Sequence, residues 1–415
     1  MTEYFDALET RAPDEREAQL LAALPRQVAH AQQASPAFAQ ILAGVDAVQV
    51  TTRAALARLP VTRKPELFER QKAGRARDPF GGFATIVRGA RMPHIFASPG
   101  PIYEPDTPDR DYWRVARAMF AAGFRAGDLV HNAFSYHMTP GAFMMESGAH
   151  AVGCTVFPAG VGQTEQQLQA MAELRPDAYS GTPSFLRILI EKAQEARCDI
   201  SSMRKALTGG EALPPSLRDW FAQHGVAAYQ SYATADLGLI AYETPAREGL
   251  VLDESVILEI VRPGTGDPAP EGEVGEMVVT TLNPHYPLIR FGTGDLSALL
   301  PGHCPSGRTN TRIQGWMGRA DQTTKIRGMF VHPSQVADIA RRFPEVLKAR
   351  LVVSGEMAND TMTLRVETAA AAEGLDARIS EAIRDVTKLR GDVQLLEPGS
   401  LPNDGKVIED ARSYK

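Results

Sequence analysis

Cysteine is scarce in this sequence, and long apolar runs are missing from it. The three cysteines, Cys154, Cys198 and Cys304, are odd in number and far apart. Their spacing argues against a disulfide framework and against a zinc site built on a close cysteine pair, and it favours a reduced, cytoplasmic protein. No apolar run approaches the roughly 20 residues that a transmembrane helix requires. The acidic, polar residues 1–16 are unlike a signal peptide.

An excess of basic residues is also absent. The chain has 44 Lys and Arg against 50 Asp and Glu, which gives a formal net charge of −6. Proteins that bind a nucleic-acid backbone normally show the opposite balance, so we expect no nucleic-acid partner. The 44% hydrophobic and 23% charged residues are typical of a globular protein, and 415 residues predict two or three domains.

The order of apolar segments predicts the fold class. Strand-like and helix-like segments alternate over residues 94–245, which favours a doubly wound, mainly parallel sheet. Over residues 250–317, strands alternate with Gly- and Pro-rich turns, which indicates an antiparallel, barrel-like subdomain. We therefore predict an α/β protein with a large N-terminal domain (1–317) of doubly wound mixed sheets. A small C-terminal α+β lid domain (318–415) follows it.

Five segments carry chemically interesting residues, and each has an ordinary structural interpretation as well. The segments are TGGEALPP (208–215), YQSYATADLG (229–238), IRFGTGDLSALL (289–300), GRADQTTKIRGMFVHPSQV (318–336) and LPNDGKVIED (401–410). The second segment can stack a planar ring on a tyrosine and place a carboxylate on Mg²⁺. It also fits a buried tyrosine pair beside a surface aspartate. Asp295 can bind the two hydroxyls of a ribose, but aspartate is common in turns.

Taken together and in this order, the five segments resemble the AMP-forming acyl-CoA synthetase superfamily, and within it the phenylacetate–CoA ligase branch. The resemblance is most detailed over EGEVGEMVVTTLNPHYPLIRFGTGDLSALLPG (271–302) and GWMGRADQTTKIRGMFVHPSQV (315–336). It extends upstream to GAHAVGCTVFPAGVGQTEQQLQAMAELRPDAYSGTPSFL (148–186) and to LPVTRKPEL (59–67), so essentially the whole chain is covered.

The resemblance implies a set of site residues. It assigns the nucleotide to Ser98, Gly100, Gly210, Glu211, Tyr232, Ala233, Asp236, Asp295, Arg319 and Lys325. Within that set, Tyr232 is expected to stack on adenine, Asp236 to hold Mg²⁺ and Asp295 to bind the ribose. Lys406 is the expected catalytic lysine, and Asp321 the hinge about which the C-terminal domain rotates.

The implied reaction has two steps and uses ATP, Mg²⁺ and coenzyme A. An aryl carboxylate attacks the α-phosphate of ATP, pyrophosphate leaves, and the CoA thiol then displaces AMP from the acyl adenylate. Aromatic residues near the expected acyl end suit a flat ring: Phe134, Tyr136, His137 and Phe143. Packing in the protein core is an equally good interpretation of these four. Relatives are commonly homodimers.

One segment, FASPGPIYEP (96–105), departs from the family's phosphate loop. Glu104 stands where the family has a lysine, and Pro99 and Pro101 each remove a backbone N–H donor. A like charge 4–6 Å from a triphosphate costs about 2–4 kcal/mol at an effective dielectric constant near 20. Three hypotheses therefore stay open: a ligase that binds phosphate through other contacts, a transferase that uses a preformed acyl adenylate or acyl-CoA, and a non-catalytic binding protein.

Overall fold

The computed structural model describes residues 3–412 except 323, 327–328, 356–359, 370–372 and 403–405. Contacts within the chain divide it into two units. The first comprises residues 1–261, 266–293 and 298–316, and the second comprises 262–265, 294–297 and 317–415. The domain boundary at residues 317/318 stays a prediction.

Helices and strands alternate through most of the first unit, as the sequence predicts. The α-helices are α1 (Pro13–Ala34), α2 (Pro36–Ile41), α3 (Arg53–Leu56), α4 (Lys64–Gly74), α5 (Ala116–Ala121), α6 (Gly141–Val152), α7 (Thr164–Leu174), α8 (Pro183–Ala196), α9 (Pro215–Gln223), α10 (Pro333–Arg341) and α11 (Leu375–Thr387). The strands up to residue 261 are β1 (Thr62–Arg63), β2 (Ile95–Ser98), β3 (Ile102–Pro105), β4 (Leu129–Asn132), β5 (Thr155–Phe157), β6 (Ala178–Gly181), β7 (Lys205–Thr208), β8 (Ala227–Thr234), β9 (Gly238–Glu243), β10 (Leu250–Leu252) and β11 (Val256–Val261). The later strands are β12 (Gly275–Thr281), β13 (Phe291–Ser297), β14 (Leu299–Leu300), β15 (Arg312–Ile313), β16 (Thr324–Ile326), β17 (Met329–Val331), β18 (Val346–Ser354), β19 (Thr361–Thr368), β20 (Asp392–Leu396) and β21 (Ile408–Asp410). Among these described helices, none is long and apolar enough to cross a membrane.

A nine-stranded sheet forms the centre of the first unit, in the order β14-β15-β10-β9-β8-β7-β6-β4-β5. The strands from β8 to β5 are parallel, and those from β9 to β14 are antiparallel. Both faces of the parallel part are covered: Ala178 and Leu207 join one apolar cluster, and Tyr179 and Ala206 join another. Burial on both faces explains why these strands carry apolar residues at consecutive positions instead of in strict alternation. The predicted α/β class is confirmed.

A second, four-stranded sheet in the order β1-β13-β12-β11 contains three of the six strands that lie within residues 250–317. β11 and β12 are antiparallel, as predicted, and β1 joins the edge of the sheet in parallel with β13. The other strands of that range, β10, β14 and β15, belong to the nine-stranded sheet instead.

The second unit has its own sheet, in the order β20-β19-β18-β21. β18 and β19 are antiparallel, and each has one parallel neighbour at the edge. Apolar residues of α10 and α11, among them Val336, Ile339, Ile379 and Ile383, pack with those of the sheet in one core. This α+β arrangement matches the class predicted for the C-terminal part of the chain.

A buried ion pair fixes the chain that leads into β1 and α4. The Arg290 guanidinium, 1% exposed, donates to both carboxylate oxygens of Glu259 at 2.9 and 3.0 Å. It also donates to the carbonyl oxygens of Ala57 and Leu59, and the Arg290 carbonyl oxygen accepts from the Thr62 N–H at 3.1 Å. One guanidinium therefore connects β11, β13 and the segment before β1.

Replacement of Glu259 by alanine is predicted to destabilise the first unit strongly. The variant leaves the buried Arg290 charge without its carboxylate, which typically costs about 3–5 kcal/mol. Urea denaturation followed by tryptophan fluorescence measures the loss. The exposed Glu271→Ala variant is the matched control and is expected to change stability by less than about 0.5 kcal/mol. Equal effects of the two substitutions would contradict the assigned role of Glu259.

Candidate active site

Six predicted site residues of the first unit lie at one edge of the nine-stranded sheet: Phe134, Gly210, Glu211, Tyr232, Ala233 and Asp236. Parallel strands β4, β6, β7 and β8 all end there. Their carboxyl ends carry the segments 132–134, 181–184, 208–211 and 232–236, which we call the carboxyl-edge site. Ligands of open α/β sheets bind in the crevice at this edge, where loops from neighbouring strands converge.

The Gly-Gly turn after β7 packs against the Phe134 ring. Gly210 has φ +76°, and a Cβ built there lies 3.8 Å from the ring, while a Cβ on Gly209 lies 3.8 Å from it and 3.0 Å from Ser231 Oγ. The turn thus needs glycine for its backbone conformation and for close approach. Glu211 is exposed, and its carboxylate accepts from the N–H and hydroxyl of Ser184, in the first turn of α8.

Three of the four predicted aryl-pocket residues are aromatic rings beside this edge. Tyr136 meets Phe143 edge to face, with centroids 5.3 Å apart. The Tyr136 hydroxyl donates to Glu146 at 2.6 Å and accepts from the Asn132 amide at 2.8 Å. Burial, with Glu146 adding to it, raises the pKa of Tyr136, so the phenol stays protonated. The fourth residue, His137, is exposed.

Tyr232 lies near the end of β8, and Asp236 lies shortly after this strand. A register shift between Tyr232 and Ala233 interrupts the pairing of β8 with β9, as a β-bulge does where a side chain is redirected. The Tyr232 side chain is buried at 8% exposure, and Asp236 lies in the turn that follows. The Arg114 guanidinium holds this turn, since it donates to the carbonyl oxygens of Leu237 and Leu239.

Asp236 forms an ion pair with a lysine that sequence reasoning missed. Lys64 Nζ lies 3.0 Å from Asp236 Oδ2, and only 1% of the Asp236 side chain is exposed. The other oxygen, Asp236 Oδ1, is buried and has no hydrogen-bond partner within the described part of the chain. Lys64 is the first residue of α4, where the helix dipole disfavours a cation. A lysine at this unfavourable position is the signal in the sequence that Lys64 interacts with a residue elsewhere in the chain.

The segment that departs from the family's phosphate loop, FASPGPIYEP (96–105), forms a β-hairpin together with Ile95, which we call the 95–105 hairpin. Its strands β2 and β3 pair with Ser98 opposite Ile102 and Phe96 opposite Glu104. The Ser98 hydroxyl donates to Glu104 Oε1 at 2.5 Å, and the Ser98 N–H donates to Oε2 at 3.3 Å. Helix α4 holds the hairpin through Gln71, whose amide bonds both the carbonyl oxygen and the N–H of Tyr103 at 2.8 Å.

Glu104 is not the exposed like charge that the sequence suggests. Its side chain is completely buried, and burial, with the Asp236 carboxylate adding to it, raises the pKa of Glu104 to about 8. The Ser98 hydrogen bond and the Lys64 ammonium oppose that rise. At neutral pH Glu104 therefore holds a proton, and the repulsion of 2–4 kcal/mol expected for an ionised glutamate does not apply. The sequence argument failed because it assumed a solvent-facing side chain.

The predicted residues of the second unit form a separate group. Arg319 donates to Asp295 at 3.1 Å, and a Cβ on Gly294 would lie 2.7 Å from the Arg319 guanidinium. Lys406 is exposed. Next to it, the Val407 N–H donates to Gln322 Oε1 at 2.9 Å, which ties the Lys406 segment to the 3₁₀ turn Ala320–Gln322. The side chains of Asp321 and Lys325 lie outside the described residues.

The stability of the native chain is predicted to fall relative to Glu104→Gln as pH rises. Between pH 4.5 and about 8 the unfolded chain releases the Glu104 proton while the folded chain keeps it. A raised folded pKa therefore contributes stability at low pH that is lost over this window. Glutamine still accepts from Ser98 and carries no charge, so its advantage over glutamate should grow by about 3 kcal/mol from pH 4.5 to 8.

Urea denaturation of both proteins at the two pH values measures this difference. Glu173→Gln, at an exposed position on α7, is the matched control and should show no growing advantage. A pH-independent gap between the native chain and Glu104→Gln would mean that Glu104 ionises normally.

Comparison with known proteins agrees with this geometry. Residues 111–283 match the AMP-binding enzyme family, and residues 328–411 match the AMP-binding enzyme C-terminal domain. The chain is 31% identical to phenylacetate-coenzyme A ligase of Thermus thermophilus over 96% of both chains. It is 32% identical to phenylacetate-coenzyme A ligase of Aromatoleum evansii, over 88% of this chain and 84% of that one.

Solved structures give the same result. An open conformation of 2-hydroxyisobutyryl-CoA ligase in complex with 2-HIB-AMP and CoA superposes with a TM-score of 0.85 at 26% identity, covering 97% of this chain and 93% of that one. The postadenylation state of the same ligase superposes with a TM-score of 0.76, covering 97% and 91%. The resemblance seen in the sequence is thus confirmed: the chain belongs to the AMP-binding enzyme family, in its phenylacetate–CoA ligase branch.

Proposed function

We propose that this chain is an ATP-dependent aryl-acid–CoA ligase, which activates an aromatic carboxylate as its acyl adenylate and transfers the acyl group to the thiol of coenzyme A. The observation that carries the proposal is the ion pair between the buried Asp236 and the partly exposed Lys64, at the same sheet edge as a set of aromatic rings; within the described part of the chain one Asp236 oxygen has no hydrogen-bond partner. Adenylation needs this combination of a metal-binding carboxylate, a cation for phosphate and an apolar surface for the acid.

Tyr232, Asp236 and Lys64 act on the nucleotide in this proposal. Tyr232 offers a ring face to adenine, beside Ala233 at the bulge of β8. Asp236 fits Mg²⁺ because its Oδ1 is buried and none of the described residues forms a hydrogen bond with it. Mg²⁺, when bound, neutralises phosphate charge in the attack on the α-phosphate. Lys64 supplies the positive charge that the 95–105 hairpin lacks, since the hairpin has glutamate at its expected lysine position.

The acid binds, in this proposal, against Phe134, Tyr136 and Phe143. The Phe134 ring packs on the Gly209–Gly210 turn. Because neither glycine has a side chain, no side chain from these two positions lies beneath a bound aromatic ring. Flat aromatic walls suit an aromatic acid better than a branched aliphatic one. Glu211 acts as a positioning residue, because it ties this turn to the start of α8 through Ser184.

Residues of the second unit complete the assignment. Asp295 binds the ribose hydroxyls, and Arg319, which donates to its carboxylate at 3.1 Å, keeps that carboxylate oriented. Lys406 is the catalytic lysine of adenylation, Lys325 contributes to nucleotide binding, and the backbone at Asp321 is the hinge of a mobile C-terminal domain (318–415). A lysine on a mobile domain can serve one half-reaction and leave before the next. Homodimer formation belongs to the proposal as well, and light scattering tests it.

A substrate screen tests the proposed function. The protein is incubated with ATP, Mg²⁺, CoA and a panel of phenylacetates, benzoates and heteroaryl acids, and thioester and pyrophosphate are both measured. We expect the two products in equal amounts with at least one aromatic acid. Thioester formed only from a synthetic acyl adenylate would support the transferase hypothesis instead. Ligand binding without turnover of any substrate would support the binding protein.

Lys406→Ala is predicted to slow adenylation by about 10²–10³-fold, because a cation that stabilises the developing charge is lost. Thioester formation from a preformed acyl adenylate should change much less, since the lysine serves the first half-reaction alone. Pyrophosphate release and thioester formation are measured separately. Lys388→Ala, at an exposed position in the same unit, is the control. Equal loss in both half-reactions would contradict the role given to Lys406.

A further inference from the structure

The backbone on either side of Lys406 is anchored by hydrogen bonds within the second unit. After the lysine, the Val407 N–H donates to Gln322 Oε1 at 2.9 Å, and β21 then pairs with β18. Before the lysine, the Leu401 N–H donates to Glu367 Oε1 at 2.6 Å. The segment that carries Lys406 is therefore fixed to the sheet of this unit at both ends.

One buried guanidinium bonds both ends of this segment. Arg350, in β18 and 3% exposed, donates from Nη2 to the Pro402 carbonyl oxygen at 3.1 Å and from Nη1 to Glu409 Oε2 at 3.3 Å. Pro402 precedes Lys406 by four residues, and Glu409 follows it by three. Lys348, on the same strand, also donates to the Pro402 carbonyl oxygen, at 3.0 Å.

The position of Arg350 is unfavourable for stability alone. Its neighbour Leu351 packs in the core with α10 and α11, so strand alternation puts Arg350 on the other face of the sheet. On that face its cross-strand partner is Arg365, and like charges directly opposite one another destabilise a sheet. Burial of a guanidinium also costs free energy unless its donors are paired. The bonds to the two ends of the Lys406 segment offset these costs.

We propose that Arg350 is a positioning residue of adenylation, which holds the Lys406 segment so that the lysine ammonium meets the developing phosphate charge. A planar guanidinium can bond Pro402 and Glu409 at the same time and in a fixed geometry. Electrostatic stabilisation of a transition state depends on charges that are already in place before the reaction. Arg350 thus acts through Lys406 and not on the substrate. The inference rests on the proposed function only in giving Lys406 its catalytic role.

Separate kinetics of the two half-reactions in Arg350→Ala test the inference. We expect kcat for pyrophosphate release to fall about 10- to 100-fold and KM for ATP to change less than about threefold, because the lost effect acts in the transition state. Thioester formation from a preformed acyl adenylate should stay within about twofold of the native rate. The matched control is Arg365→Ala, which removes the neighbouring guanidinium that donates to Gln394 at 3.1 Å, and it should keep native rates.

A double variant shows whether Arg350 acts through the lysine. Arg350→Ala should slow Lys406→Ala by no more than about twofold, since two residues that act as one unit are not additive. An independent structural effect would multiply the two losses, so a double variant at least about tenfold slower than Lys406→Ala would overturn the inference. A native kcat in Arg350→Ala, equal slowing of both half-reactions, or an equal loss in Arg365→Ala would overturn it as well.

Hydrogen exchange followed by mass spectrometry gives a readout that does not depend on activity. The amides of Leu401 and Val407 should exchange at least about tenfold faster in Arg350→Ala than in the native chain or Arg365→Ala. If the native chain releases no pyrophosphate with any acid, the proposed function fails, and unchanged exchange in Arg350→Ala would then overturn the anchoring role separately.

Should Arg350→Ala fail to fold, Arg350→Lys replaces it. Lysine keeps the buried charge but cannot bond both ends of the segment at once, so kcat for pyrophosphate release should fall at least about fivefold. An unchanged kcat in Arg350→Lys would overturn the inference.

Discussion

The charge balance between two buried carboxylates and one ammonium governs the candidate site. Burying a lone carboxylate is costly, and the chain meets that cost at Asp236 with Lys64 at 3.0 Å and at Glu104 with a bound proton and the Ser98 hydroxyl. The Lys64 pair leaves one oxygen unused, because Asp236 Oδ1 has no hydrogen-bond partner among the described residues, whereas both Glu104 oxygens accept from Ser98. With Glu104 protonated, the Asp236 carboxylate and the Lys64 ammonium balance each other in charge, and the site folds with one carboxylate oxygen still available as an acceptor.

The first unit delivers these groups from distant parts of the chain through a few anchored elements. Helix α4 supplies Lys64 at its first residue and grips the 95–105 hairpin with Gln71 seven residues later, so one rigid helix sets the lysine and the glutamate relative to each other. The start of α4 is in turn fixed by β1, which pairs with β13, and by the buried Arg290 that bonds the preceding segment. Asp236 arrives independently, on the turn after β8. A displacement of either anchor would move the Lys64 ammonium, whose ion pair with Asp236 requires placement to within a few tenths of an ångström.

Whether a feature of the fold or the site could be predicted from the sequence depends on how far apart along the chain its interacting residues lie. Tyr232, Asp236 and Gly210 were assigned through the family resemblance, and the structure places them where loops at the carboxyl ends of parallel strands converge; their roles stay predictions. The α/β class and the family followed from the order of the segments. Lys64 could not be assigned, since its partner lies 172 residues away and nothing local pairs them. Glu104 was misjudged for a related reason: a charged residue in a short turn-like segment is usually exposed, and its burial here depends on packing between elements. The roles of Asp295, Asp321 and Lys406 stay predictions.

Under the proposed function, in which the acid binds against the aromatic wall, the hydrogen bonds that the polar groups of this wall already make limit which substrates fit. The Tyr136 hydroxyl donates to Glu146 and accepts from Asn132, so its donor proton is committed within the protein. Phe143 meets Tyr136 edge to face and contacts the rings of Phe96 and His94 at tilted angles, which makes a continuous run of rings. A substrate hydroxyl that needed a strong acceptor on this wall would have to break the hydrogen bond from Tyr136 to Glu146. The Tyr136 hydroxyl would then be left without an acceptor. That penalty, typically 1–3 kcal/mol for a buried group, favours acids whose ring is apolar on the side facing Tyr136. In the proposed pocket, the aromatic wall therefore selects substrates by its shape and also because its hydrogen-bonding groups are already paired within the protein.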